Sequence, residues 1–225
     1  PKTKVIVHNS PSNPTGAVCP ESFVKELVEV ARFHNLYILS DEAYEHIVFD
    51  TKHFSPAQYD TDGRVVSIFS FSKSYAMTGW RVGYVVSNEL ISKVLEKQQE
   101  LCVSCAPSIS QKAAEAALEL DHQYISKMVE RYRQRRDLAM AILKKHGLFS
   151  YIPQGAFYVL IDISSTGMDS DIFADRLLSE QNVALAPGAT FGAIAGRYVR
   201  ASMAAEDKII IEGLERACAF IKTNS

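Results

Sequence analysis

The sequence predicts an α/β fold, because short apolar runs typical of buried strands alternate with segments whose apolar residues repeat at helical spacing. The run Val5-Ile6-Val7 is followed by a helical pattern from Pro20 to His34, and a second strand-like run covers Leu36 to Ser40. Apolar runs at Val65 to Phe69 and Val82 to Val86 continue the alternation. We therefore expect this part of the chain to form a sheet with helices packed on it.

The first helix is expected to begin near Pro20, since proline has no amide hydrogen to lose there and its fixed φ suits a first helical turn. The apolar residues at helical spacing in this segment are Phe23, Leu27, Val30 and Ala31. This spacing predicts a helix.

The second part of the chain predicts longer helices and a second set of strands. Helical spacing extends from Asn88 to about Leu120, and Pro107 interrupts it, because proline cannot donate the hydrogen bond that a helix interior needs. The later segments are a helix from His122 to His146 that Gly147 stops, strands near Ala156 to Ile163 and Tyr198 to Ala201, and helices near Ser170 to Glu180 and Glu206 to Thr223. A boundary near Leu120 divides the chain into domains of residues 1–120 and 121–225.

Composition and charge restrict the class of protein. The 225 residues are 47% hydrophobic, which allows a substantial core. The formal net charge of −2 gives no electrostatic reason to bind nucleic acid or a membrane, and the basic run from Arg131 to Arg136 is interpreted as a solvated helix face. No apolar stretch approaches the roughly 20 residues of a membrane helix, and the first residues lack a signal-peptide pattern. We expect a cytoplasmic protein.

The cysteines point to ordinary packing. Cys102 and Cys105 form one C-x-x-C pair, but there is no second pair and no histidine set that would complete a zinc site, so we expect no metal. The residues interpreted as buried or half-buried thiols are Cys19, Cys102, Cys105 and Cys218.

The most specific pattern is SFSKSYAMTGWRVGY, which runs from Ser70 to Tyr84. Ser70 stands three residues before Lys73 and Arg81 eight residues after it, so a hydroxyl and a guanidinium can converge on a phosphate beside the amine. An amine is a nucleophile only when unprotonated, and a neighbouring cation such as Arg81 favours that form. Because S-x-x-K alone also matches the serine-nucleophile motif of penicillin-binding enzymes, the upstream sequence must decide.

Two upstream segments complete a pattern for a cofactor. NPTG, Asn13 to Gly16, predicts a turn after a strand, and in YILSDEAY a buried-strand pattern ends at Asp41, with Tyr44 three residues later. Polar groups past strand ends line the crevice of an open α/β sheet. There an aspartate can keep a pyridine nitrogen protonated, and a phenol or an amide can bond a phenolate oxygen. The side chains that match the polar parts of pyridoxal 5'-phosphate (PLP) are Asn13, Asp41, Tyr44, Ser70, Lys73 and Arg81.

Each residue has a plainer interpretation when taken alone. Asp41 is typical of a turn or a helix cap, Tyr44 of packing, and Asn13 of a turn in any loop. Arg200, in an alternating run near the end, is typical of an exposed strand position. The agreement of several weak patterns in one order favours the PLP hypothesis.

Taken together, these segments resemble the fold-type I PLP-dependent aminotransferases of class I/II, the group that includes bacterial-type aspartate and aromatic aminotransferases. The resemblance covers nearly the whole chain. It implies that Lys73 binds PLP covalently and moves the substrate α-proton, and that Asp41 pairs with the pyridinium. Asn13 and Tyr44 would bond the phenolate oxygen, and Asn13 would also contact the substrate. The implied fold is part of a large mixed-sheet domain plus a small α+β carboxy-terminal domain.

The resemblance also assigns the residues that bind anions. Ser70 and Arg81 would hold the cofactor phosphate, and Arg200 in RYVRAS would grip the substrate α-carboxylate, whose planar shape suits a guanidinium fork. PQGAFYVL, from Pro153, and APGATFG, from Ala186, are similar to small-domain segments of the family.

The same resemblance sets an expectation about completeness. Members of the family carry a long amino-terminal half before NPTG, with a phosphate-binding helix start, a ring that stacks on the pyridine, and dimer contacts. We therefore expect this chain to be a carboxy-terminal portion that binds PLP weakly and is inactive alone, while the full-length parent forms a homodimer.

The implied activity moves an amino group from an amino acid through PLP to a 2-oxo acid. One alternative is a PLP-dependent carbon–sulfur lyase, which is disfavoured because SYAMTGWRVGY resembles the transaminase form of this segment. Others are a noncatalytic effector-sensing domain of an aminotransferase-like transcription regulator, or a truncated product that acts only by association. The sequence does not choose the side chain of the amino donor.

Overall fold

The computed structural model describes residues 2–121 and 123–225, so Pro1 and the helix start expected at His122 lie outside the described residues. The chain forms two compact units. Unit 1 consists of Pro1–Ser12 and Ala17–Lys127, and unit 2 of Asn13–Gly16 and Met128–Ser225.

Unit 1 is built on a four-stranded mixed sheet with the strand order β1-β2-β3-β4. The strands are β1 (Val5–Asn9), β2 (Tyr37–Asp41), β3 (Val65–Ser70) and β4 (Gly83–Val86). The first three are parallel and β4 is antiparallel to β3. Asn9 lies opposite Asp41, and Asp41 opposite Ile68, so the segments that follow these three strands leave the sheet at one edge. This is the edge at which open α/β sheets place their ligands.

The helices of unit 1 are α1 (Glu21–Phe33), α2 (Phe71–Ser74), α3 (Glu89–Val103) and α4 (Ser108–Leu118). Helix α1 agrees with the predicted helix, but its apolar residues are not all buried. Phe23 and Val30 are 48% and 42% exposed, whereas Val24, Val28 and Ala31 are buried. Those three residues follow i, i+4, i+7 spacing, so they form the stripe that meets the sheet.

Three side chains of the SFSKSYAMTGWRVGY segment belong to a small apolar cluster. Phe71, Met77 and Val82 pack with Ala114 and Ala117 of α4. The segment therefore leaves β3, makes the short helix α2 and returns as β4 around a buried centre. Helix α3, in contrast, has no buried residue.

Unit 2 contains a three-stranded antiparallel sheet with the order β5-β7-β6. Its elements are α5 (Gln123–Lys145), which begins in unit 1, β5 (Tyr158–Asp162), α6 (Ser170–Gln181), β6 (Ala186–Pro187), β7 (Tyr198–Ser202) and α7 (Asp207–Thr223). The rings of Phe173 and Phe220 meet edge to face at 5.4 Å between α6 and α7. No helix in the described part of the chain is both long and apolar enough to cross a membrane.

Candidate functional site

Asp41 is the last residue of β2 and is half-buried at the carboxyl edge of the sheet. Its Oδ1 accepts a hydrogen bond from the Ala43 amide at 3.2 Å, which is an Asx turn. The turn interpretation is therefore correct for one carboxylate oxygen. An ionised carboxylate has two oxygens and several lone pairs, so it can still accept a bond from a ligand.

Tyr44 and Lys73 lie close together, although one follows β2 and the other belongs to α2. The Lys73 Nζ atom is 5.8 Å from the centroid of the Tyr44 ring. Tyr44 is buried, with 6% of its surface exposed, and Lys73 is half-buried. The two strands β2 and β3 are hydrogen-bonded neighbours, so their following segments start side by side. This pairing is the clearest geometric support for a lysine-based site.

Ser70 ends β3 and caps α2, where its Oγ accepts a hydrogen bond from the Ser72 amide at 3.1 Å. The hydroxyl hydrogen remains able to donate to an anion. Arg81 is exposed, has a left-handed backbone (φ 52°), and donates from Nη1 to the Thr78 carbonyl at 2.9 Å. A Cβ on Gly83, which pairs with Ser70, would lie 2.5 Å from the Phe69 carbonyl oxygen. Glycine is therefore needed for β4 to return beside Ser70 and carry Arg81 with it.

These five side chains of unit 1 fit the chemistry of PLP. They supply a carboxylate for a pyridinium, a phenol for a phenolate oxygen, an amine for an aldehyde, and a hydroxyl and a guanidinium for a phosphate. They are Asp41, Tyr44, Ser70, Lys73 and Arg81. All five end or follow β2 or β3 at one edge of the sheet, or lie in the segment that returns to β4.

Unit 2 holds the other two candidate residues in direct contact. Arg200 of β7 donates from Nη1 to Asn13 Oδ1 at 2.7 Å. Its guanidinium carbon lies 4.2 Å from the centroid of the Tyr158 ring and 4.7 Å from that of Phe191. Arg200 is half-buried rather than exposed, and its Nε atom is buried with no hydrogen-bond partner among the described residues. Buried donors are nearly always paired, so this donor fits an anionic ligand such as a carboxylate.

The NPTG turn is tied to the loop before β5, also within unit 2. The amides of Gln154 and Gly155 both donate to the Gly16 carbonyl at 2.8 Å. Gly16 has φ +66°, and a Cβ there would lie 2.7 Å from the Pro153 Cβ. Only glycine suits both the left-handed backbone and this close approach, and the turn that it forms holds Asn13 against Arg200.

The structure also shows a buried group that the sequence reasoning missed. Glu42 follows Asp41 and is 1% exposed. Its carboxylate accepts hydrogen bonds from His53 Nε2 and from the Ser55 hydroxyl, both at 2.8 Å. Burial alone would raise the pKa of Glu42, but the hydrogen bonds, led by that from His53, outweigh burial and lower it. The available signal was a charged residue inside the apolar YILSDEAY run.

The expectation for the cysteines was wrong for one pair. Cys102 and Cys105 are exposed, because α3 buries no residue and the C-x-x-C pair lies at its carboxyl end. Cys19 is half-buried and Cys218 is buried, with burial raising the Cys218 pKa to about 11. Among residues 2–121 and 123–225, no group of three or more His, Cys, Asp or Glu side chains could hold a metal ion.

The chain has the fold of the fold-type I transferases, with three parallel strands and an antiparallel edge strand in the sheet of unit 1. The chain belongs to the family of class I and II aminotransferases, whose model matches residues 1–221.

Named relatives agree with this assignment. The chain is 39% identical to aspartate aminotransferase of Thermotoga maritima over 99% of its own length and 57% of that protein. It is 42% identical to (5-formylfuran-3-yl)methyl phosphate transaminase of Methanocaldococcus jannaschii over 98% of the chain and 58% of that protein. The crystal structure of an aromatic aminotransferase from Pyrococcus horikoshii superposes with a TM-score of 0.92 at 36% identity, covering 98% of this chain and 60% of that one. The chain thus spans well under two thirds of these relatives.

Proposed function

We propose that this protein acts as a PLP-dependent aminotransferase, with an amino acid and a 2-oxo acid as its two substrates. The observation that carries the proposal is the approach of Lys73 Nζ to the Tyr44 ring at 5.8 Å, directly after the strand that ends at Asp41. Family membership over residues 1–221 supports the same reaction class.

In this proposal each side chain of unit 1 has one task toward the cofactor. Bound PLP would supply a protonated pyridine ring that accepts electrons from the substrate α-carbon. Asp41 keeps the ring nitrogen protonated through its carboxylate. Lys73 would hold the cofactor covalently when substrate is absent, and its amine would move the substrate α-proton as a general base and acid. Ser70 and Arg81 bind the phosphate, and Tyr44 donates to the phenolate oxygen.

The residues of unit 2 would bind the substrate. Arg200 holds the α-carboxylate through Nε and Nη2, because its Nη1 already bonds Asn13. These two nitrogens are the pair of donors that a planar carboxylate accepts. Asn13 bonds Arg200 and, in the proposal, also the phenolate oxygen of PLP and the substrate. The relatives are named for aspartate, for aromatic amino acids and for (5-formylfuran-3-yl)methyl phosphate, so the family leaves the donor's side chain open.

The proposal also covers the cellular compartment, the number of chains and the domains. We propose a cytoplasmic homodimer whose large domain includes residues 1–120 and whose small domain includes residues 121–225. The number of chains per particle is measurable by analytical ultracentrifugation.

Covalent trapping tests the role of Lys73. The chain is incubated with an excess of PLP, reduced with borohydride, digested and mapped by mass spectrometry. We expect the pyridoxyl group on Lys73, and its loss from that peptide in Lys73→Ala. Lys112→Ala is the matched control, because Lys112 is exposed on α4, where it pairs with Glu115. An adduct spread evenly over surface lysines in the wild-type chain would contradict the assignment.

A second assay distinguishes amino transfer from carbon–sulfur cleavage. Amino-acid and 2-oxo-acid pairs are supplied together to the full-length parent protein, because this chain alone is expected to be inactive, and both new products are measured. With Lys73→Ala, proton transfer is expected to slow by roughly 10²- to 10⁴-fold. Release of sulfide or a thiol without a new amino acid would favour the lyase, and no product at all would favour a sensing domain.

A further inference from the structure

The turn that carries Asp41 and Tyr44 contains a charged group whose burial needs an explanation. The Glu42 side chain has no exposed surface. A buried carboxylate is costly unless hydrogen bonds replace the water that it has lost. A buried carboxylate is useful where its hydrogen bonds hold neighbouring residues in one position, because an apolar side chain makes no such bonds.

Two donors to the Glu42 carboxylate lie in a loop 11 and 13 residues further along the chain, and Ser67 of β3 also acts to lower the pKa of Glu42. Nε2 of His53 donates to one carboxylate oxygen and the Ser55 hydroxyl donates to the other. The His53 side chain is itself only 10% exposed. Two bonds to two oxygens fix both the position and the rotation of the carboxylate, as a single bond would not.

The backbone around Glu42 passes this restraint to its neighbours. The Glu42 amide donates to the Ile68 carbonyl at 2.9 Å, which extends the pairing of β2 with β3 by one residue. The Glu45 amide donates back to the Glu42 carbonyl at 2.9 Å, which closes the turn around Tyr44. Glu42 is thus held at its amide, its carbonyl and its carboxylate, between Asp41 on one side and Tyr44 on the other.

Burial opposes ionisation of Glu42, but hydrogen bonds lower its pKa and so favour its ionised form, and its charge acts on other titratable groups. Burial, followed by the charge of Glu42, raises the pKa of Glu45 to about 7. The pKa of His8 on β1 is lowered by burial, while Glu42 acts in the opposite direction.

We propose that Glu42 is a positioning residue, which through His53 and Ser55 sets the placement of Asp41 and Tyr44 toward the cofactor ring. The inference rests on the proposed function, because it requires that PLP binds at Lys73. Misplacement of reacting groups by about 1 Å can cost about 10²-fold in rate, so a rigid anchor behind these two residues is chemically useful.

Two variants of Glu42 separate position from charge. Glu42→Gln keeps the length but loses the negative charge and one acceptor oxygen. Glu42→Asp keeps the charge, but it is one methylene shorter and cannot meet both donors. We expect both variants to weaken PLP capture at Lys73 by about tenfold or more, measured as borohydride-trapped adduct against PLP concentration. We also expect both to displace the pH profile of the visible absorbance of bound PLP, which reports the groups around the ring.

Glu45→Gln is the matched control, because Glu45 lies in the same turn but is held by neither His53 nor Ser55. We expect its capture of PLP to stay within about twofold of the wild-type chain. Capture by Glu42→Asp equal to wild type would show that charge rather than position matters, and would overturn the inference. Unchanged capture by Glu42→Gln would overturn it as well. No Lys73 adduct in the wild-type chain would instead overturn the proposed function, and this inference with it.

Circular dichroism of each variant shows whether it folds. If the Glu42 variants do not, Ser55→Ala decides, since it removes one of the two bonds and leaves the carboxylate paired with His53. We expect capture to weaken and the pH profile to move in the same direction but less. Wild-type behaviour of Ser55→Ala in both measurements would overturn the inference.

Discussion

Among single residues, Arg200 gives the most direct expectation for ligand binding. Its neighbours fix the guanidinium, and its buried Nε has no hydrogen-bond partner among the described residues. Asn13 holds one outer nitrogen, and the rings of Tyr158 and Phe191 lie against the guanidinium carbon at 4.2 and 4.7 Å. Arginine stacked in this way keeps its donors in one plane. The site therefore favours planar anions.

We expect Arg200→Ala to weaken the binding of every amino acid and 2-oxo acid, since all share the carboxylate. A hydrogen bond to a charged group contributes about 1.5–3 kcal/mol, which corresponds to about tenfold or more in affinity. Titration calorimetry or nuclear magnetic resonance with a panel of carboxylates measures it. Arg197→Ala is the control, because Arg197 is exposed on the same segment and lies 3.7 Å from Asp169. Equal affinities for Arg200→Ala and the wild type would contradict the carboxylate assignment.

The candidate residues differ in how far the sequence could reveal them. Lys73, Asp41 and Arg200 stand in patterns whose chemistry demands those residue types, and such patterns are local. Glu42 was not predicted because its role depends on hydrogen bonds from His53 and Ser55. Those contacts form only in the folded chain. A buried position can be inferred from a pattern of apolar neighbours, but the partner that satisfies a buried charge cannot.

At the scale of elements, periodicity predicted the long helices and most strands, because those elements bury one regular face. It failed for α2 and β6, which have four and two residues and are too short to show a period. In α1 the apolar spacing identifies the helix but not its buried stripe, because Phe23 and Val30 are apolar and yet 48% and 42% exposed. Exposed apolar residues are common on protein surfaces, so hydrophobicity alone does not locate the stripe.

Two glycines of unit 2 give opposite expectations for stability. A Cβ on Gly188, at the start of the turn after β6, would lie 2.1 Å from the Ala195 carbonyl oxygen and 2.4 Å from that of Tyr198. A Cβ on Gly213, inside α7, meets only Val183 Cγ1 at 3.8 Å. The first site has no room for a side chain, whereas the second has room and a helical backbone.

We therefore expect Gly188→Ala to lower the free energy of unfolding of unit 2 by about 1–3 kcal/mol or more, because backbone atoms must move. Gly213→Ala is expected to raise it by about 0.4–1 kcal/mol, since alanine restricts the unfolded chain and favours the helix. Thermal unfolding followed by far-ultraviolet circular dichroism compares the two. A neutral or stabilising Gly188→Ala would show that the turn after β6 can rearrange.

At the scale of the whole molecule, each of the two units is built from two separate stretches of the sequence. The segment Asn13–Gly16 belongs to unit 2, although residues on both sides of it belong to unit 1. Contacts of Gly16 with Gln154 and Gly155 explain this crossing. A boundary drawn along the sequence cannot represent such a segment, since nothing local to NPTG names its distant partners.

The stability of unit 1 should depend on pH through Glu45. Its pKa is raised from 4.5 to about 7, first by burial and then by the charge of Glu42, while His53 acts in the opposite direction. His46 lies 3.6 Å away, and Glu45 in turn raises the pKa values of Tyr75 and Tyr84, after burial. A carboxyl whose pKa is higher in the folded state binds its proton more tightly there. Stability therefore falls as pH rises from about 4.5 to about 7, and the loss is complete above that range.

We expect Glu45→Gln to stabilise unit 1 at pH 8 and to have little effect at pH 4, where Glu45 is protonated in both states. One pKa unit corresponds to about 1.36 kcal/mol, so the rise of the Glu45 pKa from 4.5 to about 7 gives a gain at pH 8 on the order of 3 kcal/mol. Glu42 has a lowered pKa, so its contribution is lost as pH falls below about 4.5, but it is common to both proteins and cancels in the difference.

Urea unfolding followed by fluorescence of Trp80, the single tryptophan, reports unit 1. Glu26→Gln, at an exposed position on α1, is the control and should give a difference that does not change with pH. A gain from Glu45→Gln at pH 4 equal to that at pH 8 would mean that packing, and not the charge of Glu45, is responsible.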